Sequence, residues 1–86
     1  MLSLNDAVNL INTLNIKLDK FSIKDFIIGY QIELEHGSIN SNTNVTNDDP
    51  ILTAKIALAH LNEYPDYYNE DYGLPALERY LENKNK

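Results

Sequence analysis

The sequence predicts an all-α protein: a small single-domain bundle of four to five helices around a central apolar helix. Apolar residues recur at intervals of three and four along most of the 86 residues, which is the period of amphipathic helices. Residues that favour helix ends, namely Ser, Asp, Pro and Gly, stand where these patterns begin and stop. A chain this short builds only one compact core, so we expect a single helical domain over residues 1–86.

The first helix is predicted to follow Ser3, which forms an N-cap pair with Asp6 three residues later. Its apolar stripe would consist of Leu4, Ala7, Val8, Ile11 and Leu14. Residues 15–20 alternate between apolar and charged side chains. A lone strand would have no pairing partner here, so this segment is interpreted as a connector.

The second helix is predicted over residues 23–36. Ser22 and Asp25 repeat the N-cap pair, and Phe21 and Phe26 stand at the positions of a hydrophobic staple. The core stripe of this helix would consist of Ile23, Ile27, Tyr30 and Leu34.

A polar loop is predicted from Gly37, the expected left-handed stop of the second helix, to Asp49. Its Asn, Ser, Thr and Asp residues bond their own backbone and therefore favour turns. Oxygen ligands alternate as in a calcium loop, but the sixth position is Val45 instead of Gly and the twelfth is Ile51 instead of Glu. An EF-hand is therefore excluded, which leaves a looser ion site as an open alternative.

The third helix, predicted over residues 50–63, is the most apolar and is expected to be the central one. Asp49 caps it, and Pro50 takes the first helical position, where its missing N–H costs nothing. Pro65 would begin a further short helix. A last helix over residues 75–83 would then direct three side chains toward the core: Leu77, Tyr80 and Leu81.

The composition excludes several classes of function. The chain has no Cys, so disulfide frameworks, thiolate zinc sites and cysteine nucleophiles are ruled out. Its net charge of −6 argues against nucleic-acid binding, which needs clustered Lys and Arg. No signal peptide or membrane-spanning apolar run is evident. We therefore expect a cytoplasmic protein, or one carried within a virion if it is viral, with no membrane partner.

Acidic residues are not spread evenly along the chain. Between Glu33 and Asp71 there are eight acids and one base, Lys55. This cluster fits an acidic face that meets a basic protein partner or a cation, and it equally fits a solvated face that maintains solubility. The Tyr-rich edge at its end suits an interface, because a Tyr ring buries area and keeps a polar tip. The predicted binding residues are Asp66, Tyr67, Tyr68, Glu70 and Asp71.

The two histidines each have a Glu three residues away on the same helix face: His36 follows Glu33, and His60 precedes Glu63. The simpler interpretation is structural, with His36 bonding terminal helix carbonyls and pairing with Glu33, and with His60 linking two helices. A metal site that uses all four residues is the alternative, since Glu-x-x-His pairs on facing helices ligate metals in bundles. No cofactor or catalytic residue is predicted, because the chain lacks a phosphate-binding Gly loop and a nucleophile elbow.

Four motifs stand in order in the middle of the chain: Glu33–Gly37, Asn44–Pro50, Lys55–Glu63 and Pro65–Tyr68. In these motifs the chain resembles the family catalogued as domain of unknown function 5661, which occurs in bacteria, phages and large DNA viruses. The resemblance covers residues 21–72. The first helix and the tail from Gly73 depart from it, because members of the family continue the Asp-Tyr-Tyr segment as one charged helix.

The resemblance implies no activity, since none is assigned to the family. It does imply a shared structural network, because the matched motifs contain both histidines and most of the acidic cluster. The residues of this network would be Glu35, His36, Asp48, Asp49 and His60.

Together, these observations predict a protein that is not an enzyme but a protein-binding or assembly module, and its Asn- and Ile-rich composition is compatible with a viral or phage origin. Its partner would be an unidentified protein of basic character. A metal-binding domain is the alternative, and a small hydrolase is the third. The oligomeric state is left open.

Overall fold

Four α-helices make up the regular structure of residues 1–85, the part of the chain that the computed structural model describes. They span Leu4–Leu14 (α1), Ile23–Glu33 (α2), Pro50–Glu63 (α3) and Leu74–Lys84 (α4), and a 3₁₀ turn, Leu34–His36, follows α2 directly. No β-strand occurs in residues 1–85, so the predicted all-α class is confirmed. None of these helices combines the length and the apolar composition that a membrane crossing requires.

The first three helices begin at the predicted capping residues. Ser3 Oγ accepts a hydrogen bond from the Asp6 N–H at 3.1 Å. Ser22 and Asp25 form a complete capping box, in which each side chain accepts the other residue's backbone N–H, at 3.1 and 2.9 Å. The Asp49 carboxylate accepts an N–H of the first turn of α3 at 3.0 Å. These bonds satisfy backbone donors that a helix leaves without intrahelical partners.

Helices α2 and α3 pack along each other, and α1 lies against both. Ala54 and Ala57 of α3 have no exposed surface, so the helix backbones approach closely there. The staple residues Phe21 and Phe26 are both buried, as their positions predict. The buried apolar core consists of Ala7, Leu10, Ile11, Phe21, Phe26, Tyr30, Ala54, Ala57, Leu61 and Tyr68.

The buried faces of α1 and α2 differ in part from the predicted stripes. In α1, Leu10 is buried, whereas the predicted Leu4 and Val8 are exposed. The buried residues of α2 are Phe26, Gly29, Tyr30 and Glu33. Only Tyr30 among them belongs to the predicted stripe, and the other stripe residues are half-buried. Both helices carry apolar side chains on more than one face, so the apolar period alone did not distinguish the buried face.

The C-terminal end of α2 is tighter than predicted. The α-helix stops at Glu33, and the 3₁₀ turn carries the chain to His36. Gly37 follows with φ −102°, so the predicted left-handed stop is wrong. A Cβ on this glycine would displace the exposed Asp48 carboxylate, which accepts hydrogen bonds from Ser38, and would lie 3.2 Å from the Leu34 carbonyl oxygen.

The segment Tyr64–Tyr72 forms a series of turns, so the short helix predicted from Pro65 is wrong. The side chain of Asn69 competes with helix formation here, since its Oδ1 accepts the N–H groups of Asp71 and Tyr72 at 2.8 and 3.0 Å. Gly73 closes the segment, and the next N–H, of Leu74, bonds the carbonyl of a preceding turn at 2.7 Å.

Helix α4 has no buried residue. Leu77, Tyr80 and Leu81, predicted to face the core, are instead 53%, 60% and 44% exposed. These side chains are exposed because α4 follows the turn segment and lies beside it. The helix does not reach the core that the other helices form. An amphipathic helix with an uncovered apolar face is the result.

Candidate functional site

The carboxylate of Glu33 is the centre of a buried polar cluster at the C-terminal end of α2. The residue is 1% exposed. Its Oε1 lies 3.1 Å from His36 Nε2, and its Oε2 lies 3.0 Å from His60 Nδ1. The Tyr68 hydroxyl also donates to Oε2, and it lies 2.9 Å from His60 Nδ1. We call these four residues, with the neighbouring Glu35, the Glu33 cluster.

Three chain segments bring the partners of Glu33 to the C-terminal end of α2. The 3₁₀ turn places His36 beside the carboxylate of Glu33, and the last turn of α3 carries His60. Tyr68 comes from the turn segment, and its ring lies directly over Gly29 of α2. Within residues 1–85 no fully buried side-chain nitrogen or oxygen is left without a hydrogen-bond partner. The cluster therefore meets the requirement that buried polar groups be paired.

The two neighbouring tyrosines of the turn segment are held in their neutral form. Burial raises the pKa of Tyr68 far above its ordinary value, and the hydrogen bond to Glu33 and the negative charge of Glu33 raise that pKa further. Burial also raises the pKa of Tyr67, with added repulsion from the carboxylates of Glu33 and Glu35. Tyr68 thus remains a hydroxyl donor, which is the role that its position beside a buried carboxylate requires.

The outer edge of the Glu33 cluster reaches solvent. Glu35 Oε1 lies 3.6 Å from His36 Nε2, and both side chains are about half exposed. The carboxylates of Glu33 and Glu35 and the imidazole of His36 each offer a ligand atom, and these three atoms lie within 4.8 Å of one another. Solvent therefore reaches His36 and Glu35, and the Glu33 carboxylate is buried behind them.

The loop after Gly37 is joined to the Glu33 cluster through the backbone. The carbonyl of His36 accepts the N–H groups of Val45 and Thr46, at 2.7 and 3.1 Å. Asp48 accepts the hydroxyl and the N–H of Ser38, and these two bonds lower the pKa of the Asp48 carboxyl. The loop is thereby closed into a compact turn that holds the main chain of His36.

The residues of the predicted structural network lie in three different parts of the structure. Glu35, His36 and His60 meet in the Glu33 cluster. Asp48 stabilises the loop that holds His36, and Asp49 is the N-cap of α3. Glu33 itself was not assigned to this network by the sequence, although its place three residues before His36 and seven after Phe26 puts it on the buried face.

The predicted four-ligand metal site is not assembled. The metal-competent group within residues 1–85 consists of Glu33, Glu35 and His36, and it does not include Glu63. His60 Nδ1 is instead occupied by Glu33 and Tyr68.

An open groove of about 420 Å³ lies between the turn segment and the start of α4. Its lining residues are Tyr64, Asp66, Tyr67, Tyr72, Gly73, Leu74 and Leu77, and we call it the Tyr64 groove. The Tyr67 ring stacks on the His60 ring, with centroids 4.1 Å apart and planes inclined by 12°. The groove and the Glu33 cluster therefore share a boundary at this pair of rings.

Two of the five predicted binding residues, Asp66 and Tyr67, line the Tyr64 groove. Tyr68 is 3% exposed and packs in the core. Glu70 and Asp71 line a different depression beside the N-terminal end of α2, and Tyr68 also borders it. The sequence did not indicate the groove itself, because α4 was expected to be packed.

A family model described as "Protein of unknown function (DUF5661)" matches residues 7–78 of the chain. No match was found among curated proteins or among solved structures. The matched range is wider than the predicted 21–72: it includes most of α1 and the beginning of α4, which were expected to depart from the family. It also contains the whole Glu33 cluster and the whole lining of the Tyr64 groove.

Proposed function

The chain belongs to the DUF5661 family, and because that family is described as one of unknown function, we propose a function from the geometry: a non-enzymatic protein-binding module that uses the Tyr64 groove. The observation that supports this proposal is the exposed apolar surface at the groove. Tyr72 is 83% exposed, and Tyr64 and Leu77 are more than half exposed. Contiguous exposed apolar surface of this kind is typical of interaction sites.

The partner that fits this surface is a basic amphipathic segment of another protein. Residues 63–82 contain one base, Arg79, and six acids: Glu63, Asp66, Glu70, Asp71, Glu78 and Glu82. Six negative charges less one positive charge leave −5 on residues 63–82, the part of the chain that forms the groove. Apolar anchors would enter the groove while Lys and Arg side chains meet its acidic surroundings, which is the helix-in-groove mode of recognition.

The inner wall of the groove supports a binding role because it is held rigidly. Tyr67 stacks on His60, and His60 is bonded in turn to the buried carboxylate of Glu33. A wall that is ordered before binding reduces the entropy lost when the complex forms. The lining offers a single carboxylate, Asp66, which is a poor basis for catalysis and supports a non-enzymatic role. A cytoplasmic location and a viral or phage origin are part of the same proposal.

A peptide library displayed against the full chain tests this proposal. We expect selected peptides to combine apolar residues with Lys and Arg, and their affinity to fall as salt concentration rises. Leu77→Asp should abolish binding, because it puts a charge into the apolar groove. Leu4→Asp is the matched control: Leu4 is an equally exposed apolar residue of α1 that does not line the groove.

Three results would contradict the proposal: selection of no consensus, selection of acidic peptides, or binding that Leu77→Asp leaves unchanged. Sedimentation of the chain over a range of concentrations tests whether a second copy of the chain, and not a basic partner, occupies the groove. A dimer that Leu77→Asp dissociates would show that a second copy fills the groove instead of a basic partner.

A further inference from the structure

We infer that the outer edge of the Glu33 cluster is a binding site for a divalent cation of the zinc class, held by His36 Nε2 and by the carboxylates of Glu33 and Glu35. The inference does not depend on the Tyr64 groove. It rests on the spacing of the ligand atoms, on the groups that orient Glu33, and on the charge of the site.

The spacing of the ligand atoms suits a tetrahedral ion. Ligand bonds of about 2.0–2.1 Å in a tetrahedral site separate neighbouring ligand atoms by about 3.3 Å. His36 Nε2 lies 3.1 Å from Glu33 Oε1 and 3.6 Å from Glu35 Oε1. All three ligand atoms lie within 4.8 Å of one another, so an ion among them would need only side-chain adjustments, and water would complete its coordination.

Glu33 is oriented in the way that carboxylate ligands of metals are oriented. Its Oε2 is held by the Tyr68 hydroxyl and by His60 Nδ1, which leaves Oε1 directed at His36. Outer groups of this kind fix the direction of a ligand and are a regular part of metal sites. His60 thus acts as a positioning residue and not as a ligand, in contrast to the arrangement in which both histidines share one ion.

The charge and the donor atoms of the site point to the metal class. A divalent cation is balanced by two carboxylate ligands, and an imidazole ligates a metal in its neutral form. One nitrogen and two oxygen donors suit zinc, iron or manganese, whereas calcium prefers six to eight oxygen ligands. The backbone of His36 is fixed by its bonds to Val45 and Thr46, so the imidazole is presented from a rigid turn.

Titration of the full chain with Co²⁺, followed by visible absorption, tests the site. We expect a saturating spectrum at one ion per chain that Zn²⁺ displaces and Ca²⁺ does not. Glu35→Gln and His36→Gln should each weaken Co²⁺ binding by about tenfold or more, the effect that even outer groups have at metal sites. Glu63→Gln, an acid on α3 outside the cluster, is the control and should bind as the unmodified chain does.

The absence of a saturable spectrum, or unchanged binding by Glu35→Gln, would overturn the inference. Glu35 is half exposed, so its substitution is compatible with folding, and far-ultraviolet circular dichroism verifies this for each variant. Tyr68→Phe tests the positioning of Glu33: with helicity retained, the Co²⁺ spectrum should change and the affinity should fall. An unchanged spectrum in this variant would show that the Tyr68 hydroxyl does not orient the ligand.

Discussion

The ring of Tyr68 fills the space that a side chain on Gly29 would need. A Cβ built on Gly29 would lie 2.4 Å from Tyr68 Cε2, well inside ordinary contact distance. Gly29 therefore makes room for the ring whose hydroxyl reaches Glu33. We expect Gly29→Ala to lower the free energy of unfolding by about 1–3 kcal/mol, the usual cost of overpacking, when urea denaturation is measured.

The effect of Gly29→Ala on the free energy of unfolding should change sign when Tyr68 is also replaced by Ala. Without the large ring, as in Tyr68→Ala, the methyl group of Gly29→Ala has space, and Ala is better than Gly within a helix by about 1 kcal/mol. In this background Gly29→Ala should stabilise the chain. If the substitution destabilises both backgrounds equally, the two residues do not interact and the packing relationship described above is incorrect.

The hydroxyl of Tyr68 should contribute to stability, because it donates to a buried carboxylate. We expect Tyr68→Phe to reduce the free energy of unfolding by about 1–3 kcal/mol, since Glu33 loses a donor that water cannot replace. Tyr72→Phe is the matched control and should have no measurable effect, because Tyr72 is exposed. Equal urea midpoints for the two variants would contradict this assignment.

Alkaline pH should destabilise the fold through its buried tyrosines. Burial raises the pKa of Tyr30, and the negative charges of Asp48, Asp49 and Asp6 raise it further. The unfolded chain therefore loses this proton first, near pH 10, so the stabilisation is fully present below about pH 10 and is lost as pH rises further. In Tyr30→Phe the free energy of unfolding should fall less steeply above that pH. An unaltered slope would show that Tyr30 does not titrate differently in the two states.

Acid should loosen the loop between Gly37 and α3. The two bonds from Ser38 lower the pKa of Asp48, so their stabilisation is present above the unfolded value near pH 4 and is lost as pH falls through the lower folded value. Asp48→Asn should remove this acid-dependent part, which urea midpoints at decreasing pH report. Asp19→Asn, at an exposed carboxylate in the loop after α1, should retain it.

The helix starts could be predicted from the sequence because capping is a local interaction. The Ser22 and Asp25 box, for example, involves residues three apart and needs no tertiary contact. The face that each helix buries was harder to predict, because α2 has apolar side chains around most of its circumference. The spacing of Glu33 from Phe26 indicates the buried face, but the partners that satisfy its carboxylate come from the 3₁₀ turn, from α3 and from the turn segment.

The position of α4 shows the other limit of sequence reasoning. Its apolar stripe predicted burial, since an amphipathic helix ordinarily packs on a core. The stripe does not specify what covers it, however, and the turns before Gly73 direct the helix away from α1, α2 and α3. An apolar stripe is therefore compatible with a helix that packs on the core and equally with a helix that binds another molecule.

The lack of buried residues in α4 has a consequence for the time course of its amide hydrogen exchange. Its amide protons can exchange through local opening that leaves the rest of the structure closed, whereas those of α2 and α3, around Phe26 and Leu61, must wait for global unfolding. The chain should therefore behave as two cooperative units of different stability. A ligand bound in the Tyr64 groove should slow amide exchange in α4 at ligand concentrations that do not yet change the melting temperature of the whole chain.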